Sequence, residues 1–289
     1  MYESEVDSLL PPPGAWNRRA LMRSALGTGF AVAVLPICAQ TVVKTDFEGL
    51  IAGEVMVPVG KEKIPVYRAA PAGRRGLPVV LVASEIFGVH EHIADVARRF
   101  AKAGFYAIAP ELFVRQGEPG SYGEIAKLMS EIIAKTPDAQ VMADLDACDA
   151  WASTQGADAA RVGITGFCWG GRTTLMYAAH NPRLKAAVAW YGPIARAYEA
   201  GDRSVLEVAG RIKAPVLGLY GGADAGIPSA DVEKLRAALL AGGNTASDFV
   251  IYPDIPHGFN ADYRPTYRRQ AAEDGWRRSL AWFRANGLA

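Results

Sequence analysis

Residues Arg161 to Arg172, Arg-Val-Gly-Ile-Thr-Gly-Phe-Cys-Trp-Gly-Gly-Arg, constrain the fold more than any other stretch of the chain. A β-type run, Val162 to Thr165, leads into Gly166-Phe167-Cys168-Trp169-Gly170, and a helix-type run from Arg172 to His180 follows. This is the G-x-S-x-G nucleophile-elbow pattern with cysteine in the serine position. The spacing has a steric cause. A nucleophile on a very tight strand-to-helix turn leaves no room for side chains two residues to either side, and Gly166 and Gly170 carry none. The following helix would aim its N-terminal N–H groups and positive dipole end at the thiol, which favours thiolate. The same pentapeptide also fits a buried thiol beside two packing glycines. The rest of the chain decides between these.

Strand-type and helix-type runs alternate along most of it. Pro78 to Ala83 contains Val79-Val80-Leu81-Val82-Ala83, a continuous apolar run of the kind buried on both faces in a parallel sheet. Ser84-Glu85-Ile86-Phe87-Gly88 follows, then Ile93, Val96, Phe100 and Ala101 at helical spacing, closed by Gly104. Phe105 to Ala109 is a second buried strand and ends at Pro110-Glu111-Leu112-Phe113-Val114-Arg115. Ser121 to Lys135 and Asp138 to Thr154 read as helices. The second has Val141, Leu145, Cys148 and Trp151 on one stripe, which makes Cys148 a core residue. Ala186 to Tyr191 and Pro215 to Tyr220 are strands, Asp231 to Ala241 a helix, Phe249 to Tyr252 a last strand and Thr266 to Ala285 a closing helix. Ahead of all these, Val55 to Val59 and Ile64 to Ala69 form a hairpin around Gly60-Lys61, with Pro58 and Pro65 placing both arms at a sheet edge. The pattern predicts one α/β domain over residues 40–289, a mostly parallel sheet with helices on both faces. Functional residues then belong at the carboxyl ends of the strands.

An elbow nucleophile needs a base, and the base an orienting carboxylate. In the α/β-hydrolase fold these follow in the order nucleophile, acid, histidine. Only His180 and His257 come after Cys168. His180 lies deep in the elbow helix and reads as a surface residue. His257, in Asp254-Ile255-Pro256-His257-Gly258-Phe259, lies just past the last strand, where the base belongs. Asp224 sits just past the preceding strand, after Gly221-Gly222, and Asp254 competes with it for the acid role. The oxyanion hole of this fold takes one N–H from the residue after the nucleophile, here Trp169, and one from the loop after the earlier buried strand, here Ile86. Glu85 adds a carboxylate at that same strand end.

At these residues the chain resembles the dienelactone hydrolase (carboxymethylenebutenolidase) family. The resemblance rests on Glu85-Ile86-Phe87-Gly88-Val89-His90-Glu91-His92-Ile93, Ala109-Pro110-Glu111-Leu112-Phe113-Val114-Arg115, Gly166-Phe167-Cys168-Trp169-Gly170-Gly171 and Pro256-His257-Gly258-Phe259. It runs from about Thr45 to the C-terminus. It implies a triad of Cys168, Asp224 and His257, and gives Glu85 a place close to the thiol, keeping it protonated and turned aside until substrate binds. It also implies two arginines for a substrate carboxylate. One matches Arg115. The other would lie four residues after the histidine, where this chain has Ala261; Arg264 is three positions late. That departure favours a broader carboxyl-ester or lactone hydrolase. Phe87, Tyr191, Trp169 and Phe259 are candidate pocket walls.

The resemblance implies opening of small lactones or esters through an acyl-enzyme, with no metal and no cofactor. A general carboxylesterase is the alternative within enzymes, and a catalytically silent hydrolase-fold binding protein the alternative outside them. A net charge of +1 gives no electrostatic case for nucleic acid. Residues 1–39 differ from the rest. Arg18-Arg19 and Arg23 precede an uncharged apolar stretch, Ala25 to Ala39, that ends in Ile37-Cys38-Ala39. Basic region, apolar core and small-residue end make a secretory signal that resembles the twin-arginine type. The expectation is recognition by twin-arginine export machinery and a periplasmic or secreted protein.

Overall fold

The computed structural model describes residues 43–198 and 201–288. The expected signal segment lies outside them. Eight strands form one sheet: β1 (Leu50–Val59), β2 (Glu62–Pro71), β3 (Leu77–Ala83), β4 (Tyr106–Pro110), β5 (Ala157–Phe167), β6 (Ala186–Trp190), β7 (Val216–Gly221) and β8 (Asp248–Tyr252). Their spatial order is β1-β2-β4-β3-β5-β6-β7-β8. The β1–β2 and β2–β4 pairs are antiparallel and all others parallel. This is the α/β-hydrolase architecture that the alternation predicts.

Seven α-helices surround the sheet: α1 (Glu91–Lys102), α2 (Ile125–Glu131), α3 (Asp138–Thr154), α4 (Trp169–His180), α5 (Val205–Val208), α6 (Ser229–Ala241) and α7 (Arg269–Ala285) among the described residues. Two glycines of β5 show how both faces are covered. A Cβ on Gly163 would lie 2.9 Å from the Phe283 ring of α7, and one on Gly166 would lie 2.7 Å from Thr174 Oγ1 of α4. Positions three apart on a strand point to opposite faces, so α7 and α4 pack on opposite sides. Helix α1 shares the α7 side, since Phe100 packs against Trp276 and Phe283. β3, β4, β6 and β7 are buried at every position.

Two expectations change. The hairpin is longer than predicted, and only β1 is an edge; β2 pairs on both sides. Pro65 is tolerated there because the β2–β4 ladder begins at Val66, and its carbonyl accepts from the Glu111 N–H at 2.9 Å. The helix expected over Ser121 to Lys135 is broken into α2 flanked by short 3-10 turns at Pro119–Ser121 and Ile133–Lys135. Ile132 and Ile133 are both fully buried. The break falls at Ile132, whose φ of −113° and ψ of −64° depart from helical geometry.

The strand order reverses around β3, because the chain leaves it for β4 on one side and returns to β5 on the other. A reversal of this kind opens a crevice at the carboxyl ends of the strands. Ala83 of β3 pairs with Gly166 of β5. Glu85 and Cys168 each lie two residues beyond that pair.

Candidate active site

Cys168 has φ +54° and ψ −120°, a strained conformation for a residue with a Cβ. Its neighbours hold it there. The Cys168 N–H donates to the Trp190 carbonyl of β6 at 3.0 Å, and the Cys168 carbonyl accepts from the Gly171 and Arg172 N–H groups at 2.8 and 3.1 Å. The glycine spacing is required on both sides. A Cβ on Gly166 would lie 2.1 Å from the Gly170 carbonyl oxygen, and one on Gly170 would lie 2.3 Å from that of Ala83. Both obstacles are backbone, which cannot swing aside. Cys168 therefore stands at the N-terminus of α4 as the elbow pattern predicts. Cys148, by contrast, is fully buried, and burial pushes its thiol well above the ordinary range.

Two loops bring the partners to the elbow. After β7 the chain turns through Gly221-Gly222, and after β8 it passes Tyr252 to Ile255. The Gly222 N–H donates to the Tyr252 carbonyl at 2.7 Å, and Ala223 to that of Ile255 at 3.1 Å. A Cβ on Gly221 would lie 2.2 Å from the Ile255 carbonyl oxygen, which explains the glycine. This zipper sets Asp224 Oδ2 at 2.6 Å from His257 Nδ1. The other Asp224 oxygen accepts from the Gly226 N–H at 2.9 Å. Asp254 is exposed and sits at φ +55° in the turn, so the carboxylate at the imidazole is that of Asp224. A carboxylate only accepts, so Nδ1 carries the proton in this pair. The second nitrogen is left for Cys168, which lies close enough to raise the imidazole pKa. Burial works against a charge on His257, but the charge of Cys168 and hydrogen bonds to Asp224 and Cys168 outweigh it and raise the pKa well above 6.5.

The N–H groups of Ile86 and Trp169 donate to no backbone carbonyl in the described loops and caps. The turn carrying Ile86 is braced from below. Glu111, just past β4, accepts from the Val89 N–H at 3.1 Å through both oxygens. Gly88, at φ +73°, leaves space for that carboxylate, since a Cβ there would lie 2.6 Å from Glu111 Oε2. The Trp169 side chain is buried against Phe113, with ring centroids 4.7 Å apart, so its indole packs in the core.

Glu85 departs from the resting arrangement that the resemblance implies. Its carboxylate is 1% exposed, and Oε2 accepts from Tyr263 Oη at 2.7 Å and from Arg264 Nη2 at 2.8 Å. Oε1 has no hydrogen-bond partner, so Glu85 makes no hydrogen bond to the thiol. Arg264, three positions late in sequence, does reach the cluster. Its guanidinium lies 4.9 Å from the Phe87 ring centroid. Burial opposes its charge, but Glu85 and Tyr263 raise its pKa, as does the nearby Cys168. Arg115 is held elsewhere. It makes a two-point bridge to Asp144 of α3, at 2.8 and 3.0 Å, and donates from Nε to Glu62 of β2 at 2.6 Å. Tyr191, at φ +38° after β6, packs edge-on to His257 at 5.0 Å and to Phe259 at 5.2 Å. It walls the triad.

Sequence reading passed over the layer behind Glu85. Tyr263 Oη also accepts from Arg264 Nη2 at 2.7 Å and lies 3.3 Å from His90 Nε2. The His92 ring centroid lies 5.4 Å from that of Tyr263, and His92 Nδ1 is 2.9 Å from Asp262 Oδ1. The other oxygen of Asp262 accepts from the Val43 N–H at 2.8 Å. His90 and His92 were visible only as part of a matching stretch. Nothing in spacing pairs residues about 170 positions apart; the adjacency of Asp262, Tyr263 and Arg264 was the one available signal.

Known proteins match this chain throughout the described fold. The model of the dienelactone hydrolase family matches residues 64–287. A Methylorubrum extorquens protein named as a carboxymethylenebutenolidase is 54% identical over 280 residues, covering 94% of each chain. One from Escherichia coli K12, named likewise, is 49% identical over 273 residues, or 92% of this chain and 98% of its own. The crystal structure of a Klebsiella pneumoniae protein named as a dienelactone hydrolase superposes with a TM-score of 0.79 at 52% identity, covering 81% of this chain and 98% of that one.

Proposed function

The chain belongs to the dienelactone hydrolase family, and from that premise we propose that it hydrolyses small lactones or esters through a cysteine acyl-enzyme. The family makes it a hydrolase of esters or lactones. The cysteine mechanism is our reading, and one observation carries it: Asp224 holds His257 at 2.6 Å beside Cys168, at the carboxyl ends of β5, β7 and β8.

In this reading His257 takes the Cys168 proton on its second nitrogen while Asp224 holds the first. The thiolate attacks the carbonyl carbon, and the N–H groups of Trp169 and Ile86 stabilise the oxyanion. One such donor is worth about 3–4 kcal/mol in the transition state. Collapse breaks the C–O bond, and His257 returns its proton to the leaving oxygen. In a lactone both fragments stay joined. Water, deprotonated by His257, then attacks the thioester and releases the carboxylic acid and the free thiol. Glu85 acts through Arg264, whose positive charge near Cys168 it balances.

Cys168→Ala is expected to abolish turnover of aryl acetates and lactones while leaving the circular dichroism spectrum unchanged. Mass spectrometry of the parent protein during turnover is expected to show one acetyl group on the peptide containing Cys168. Full activity in the variant, or acylation elsewhere, refutes the mechanism. Glu85→Gln is expected to speed alkylation of Cys168 by iodoacetamide; an unchanged rate removes Glu85 from it. We further infer that residues 1–39 export the protein to the periplasm. Replacing Arg18-Arg19 by lysines should leave the protein in the cytoplasmic fraction, and unchanged fractionation rejects the signal.

A further inference from the structure

We propose that Arg172 is a positioning residue for the base His257: it ties the elbow helix to the loop that follows β6 and so holds the ring of Tyr191 against the imidazole. This rests on the hydrolase reading above and adds a residue to its site.

Arg172 occupies a costly position. It closes the first turn of α4, where the helix dipole opposes a positive charge, and it is fully buried. One set of partners offsets both costs. Its Nη1 and Nη2 donate to the two oxygens of Asp138 at 2.6 and 2.7 Å. Asp138 opens α3, where the dipole favours a carboxylate. Nη2 also donates to the Arg203 carbonyl at 2.8 Å, and Nε to that of Arg196 at 3.3 Å. The guanidinium lies 5.5 Å from the Tyr198 ring centroid. Arg196, Tyr198 and Arg203 all belong to the loop between β6 and α5, so the fork joins that loop to the starts of two helices at once. A guanidinium can do this because its donors diverge in a fixed plane.

The loop held in this way borders the site. It leaves β6 through Tyr191, whose φ of +38° is strained for a residue with a Cβ and persists only where the surroundings over-determine it. The Tyr191 N–H donates to the Leu219 carbonyl of β7 at 2.8 Å. Gly192 then passes flush against α4, since a Cβ there would lie 2.5 Å from the Arg172 backbone nitrogen. Farther on, the Ile194 carbonyl accepts from the Val205 N–H at 3.1 Å and closes the loop on itself. Across a cleft the loop faces Gly226 and Ile227, and the Gly226 N–H holds Asp224. The Arg172 N–H also donates to the Cys168 carbonyl at 3.1 Å. One residue therefore touches the backbone of the nucleophile and, through the loop, fixes the wall beside the base. That wall restricts the imidazole to the orientation in which it meets both Asp224 and Cys168. A loosened wall leaves room for a small ester and lowers the share of bound complexes with the base in place.

The test follows phenyl acetate hydrolysis, with circular dichroism to establish folding. Arg172→Lys keeps a positive charge for Asp138, but an ammonium cannot span the carboxylate and both carbonyls. In folded Arg172→Lys, kcat is expected to fall at least about tenfold while KM changes less than about threefold, because placement of the base is lost and the ester still binds. In a Tyr191→Leu background, where the ring to be positioned is gone, the same change is expected to cost less than about a further threefold. A parental kcat in folded Arg172→Lys, or the full tenfold loss repeated in Tyr191→Leu, overturns the inference and leaves the hydrolase reading standing. If Arg172→Lys does not fold, Asp138→Asn puts the same question from the other partner with an isosteric change. A lowered kcat at an unchanged KM supports the inference there, and a parental kcat overturns it. A parent enzyme that hydrolyses no ester overturns both readings.

Discussion

Two histidine–aspartate pairs lie in one neighbourhood of the described residues, and their surroundings differ. His257 and Asp224 meet at 2.6 Å, and His92 and Asp262 at 2.9 Å. Each pair uses Nδ1 and leaves the other nitrogen facing away. The difference lies beyond that nitrogen and around the carboxylate. His257 is 18% exposed and reaches Cys168. His92 is 3% exposed, its Nε2 is unpartnered, and its ring lies among His90, Tyr263 and Phe167. Asp262 also accepts from the Val43 N–H and from Arg99 at 3.4 Å, so it ties the start of the described chain to the layer behind Glu85. Asp224 accepts otherwise only from the Gly226 N–H in its own loop. A hydrogen-bonded His–Asp pair is therefore not a triad by itself. A nucleophile at the other nitrogen and an opening to substrate make it one.

The largest expected contrast is catalytic. His257→Gln should lower kcat for an aryl acetate by on the order of 10⁶-fold, as loss of a triad base does, whereas His92→Gln should lower it less than about tenfold through shifts in Tyr263 and Glu85. Comparable losses would erase the distinction. The next contrast is stability. Asp262→Ala removes the partner of His92, Val43 and Arg99 together and should cost about 3 kcal/mol in urea unfolding, while Asp224→Ala should cost less than half of that, its damage falling on kcat.

A smaller effect separates the pairs by pH. Burial disfavours the Asp262 charge, but the hydrogen bond and charge of His92, with Val43 and Arg99, hold its pKa below the usual 3.8. A depressed carboxylate stabilises the fold above its unfolded pKa, and that stability is lost as pH falls through the folded value. His257 is raised, so its contribution is complete below about 6.5 and is lost as pH rises through its folded pKa. Asp262→Asn should thus flatten the acid limb of the stability profile, and His257→Gln the neutral-to-alkaline limb. The smallest expected signal is spectroscopic. Cys168→Ala removes a charge and a hydrogen bond that raise the His257 pKa, leaving Asp224 to oppose burial alone. The His257 ring resonances should titrate at lower pH in that variant.

Much of this was legible in the chain itself, because it depends on local spacing. Gly166, Cys168 and Gly170 define an elbow since any Cβ at the flanking positions would strike backbone, a restriction that five residues carry by themselves. Continuous apolar runs mark strands buried on both faces, and their ends locate Glu85, Asp224 and His257. Asp254 lies far nearer the histidine in sequence than Asp224, yet the zipper between the β7 and β8 loops brings Asp224 to the imidazole. The charges at the site were beyond sequence spacing. Arg115 matched an arginine that the resemblance assigns to a substrate carboxylate, and for Arg264, three positions late, spacing left its reach undecided. In the folded protein Asp144, buried on α3, pairs with the first, and Glu85, two residues past β3, pairs with the second. An ion pair depends on which distant side chains are desolvated together, and burial is set by packing of the whole sheet and its helices. The sequence by itself determined the architecture and the order of Cys168, Asp224 and His257 along it; only the tertiary structure decided which charges meet one another.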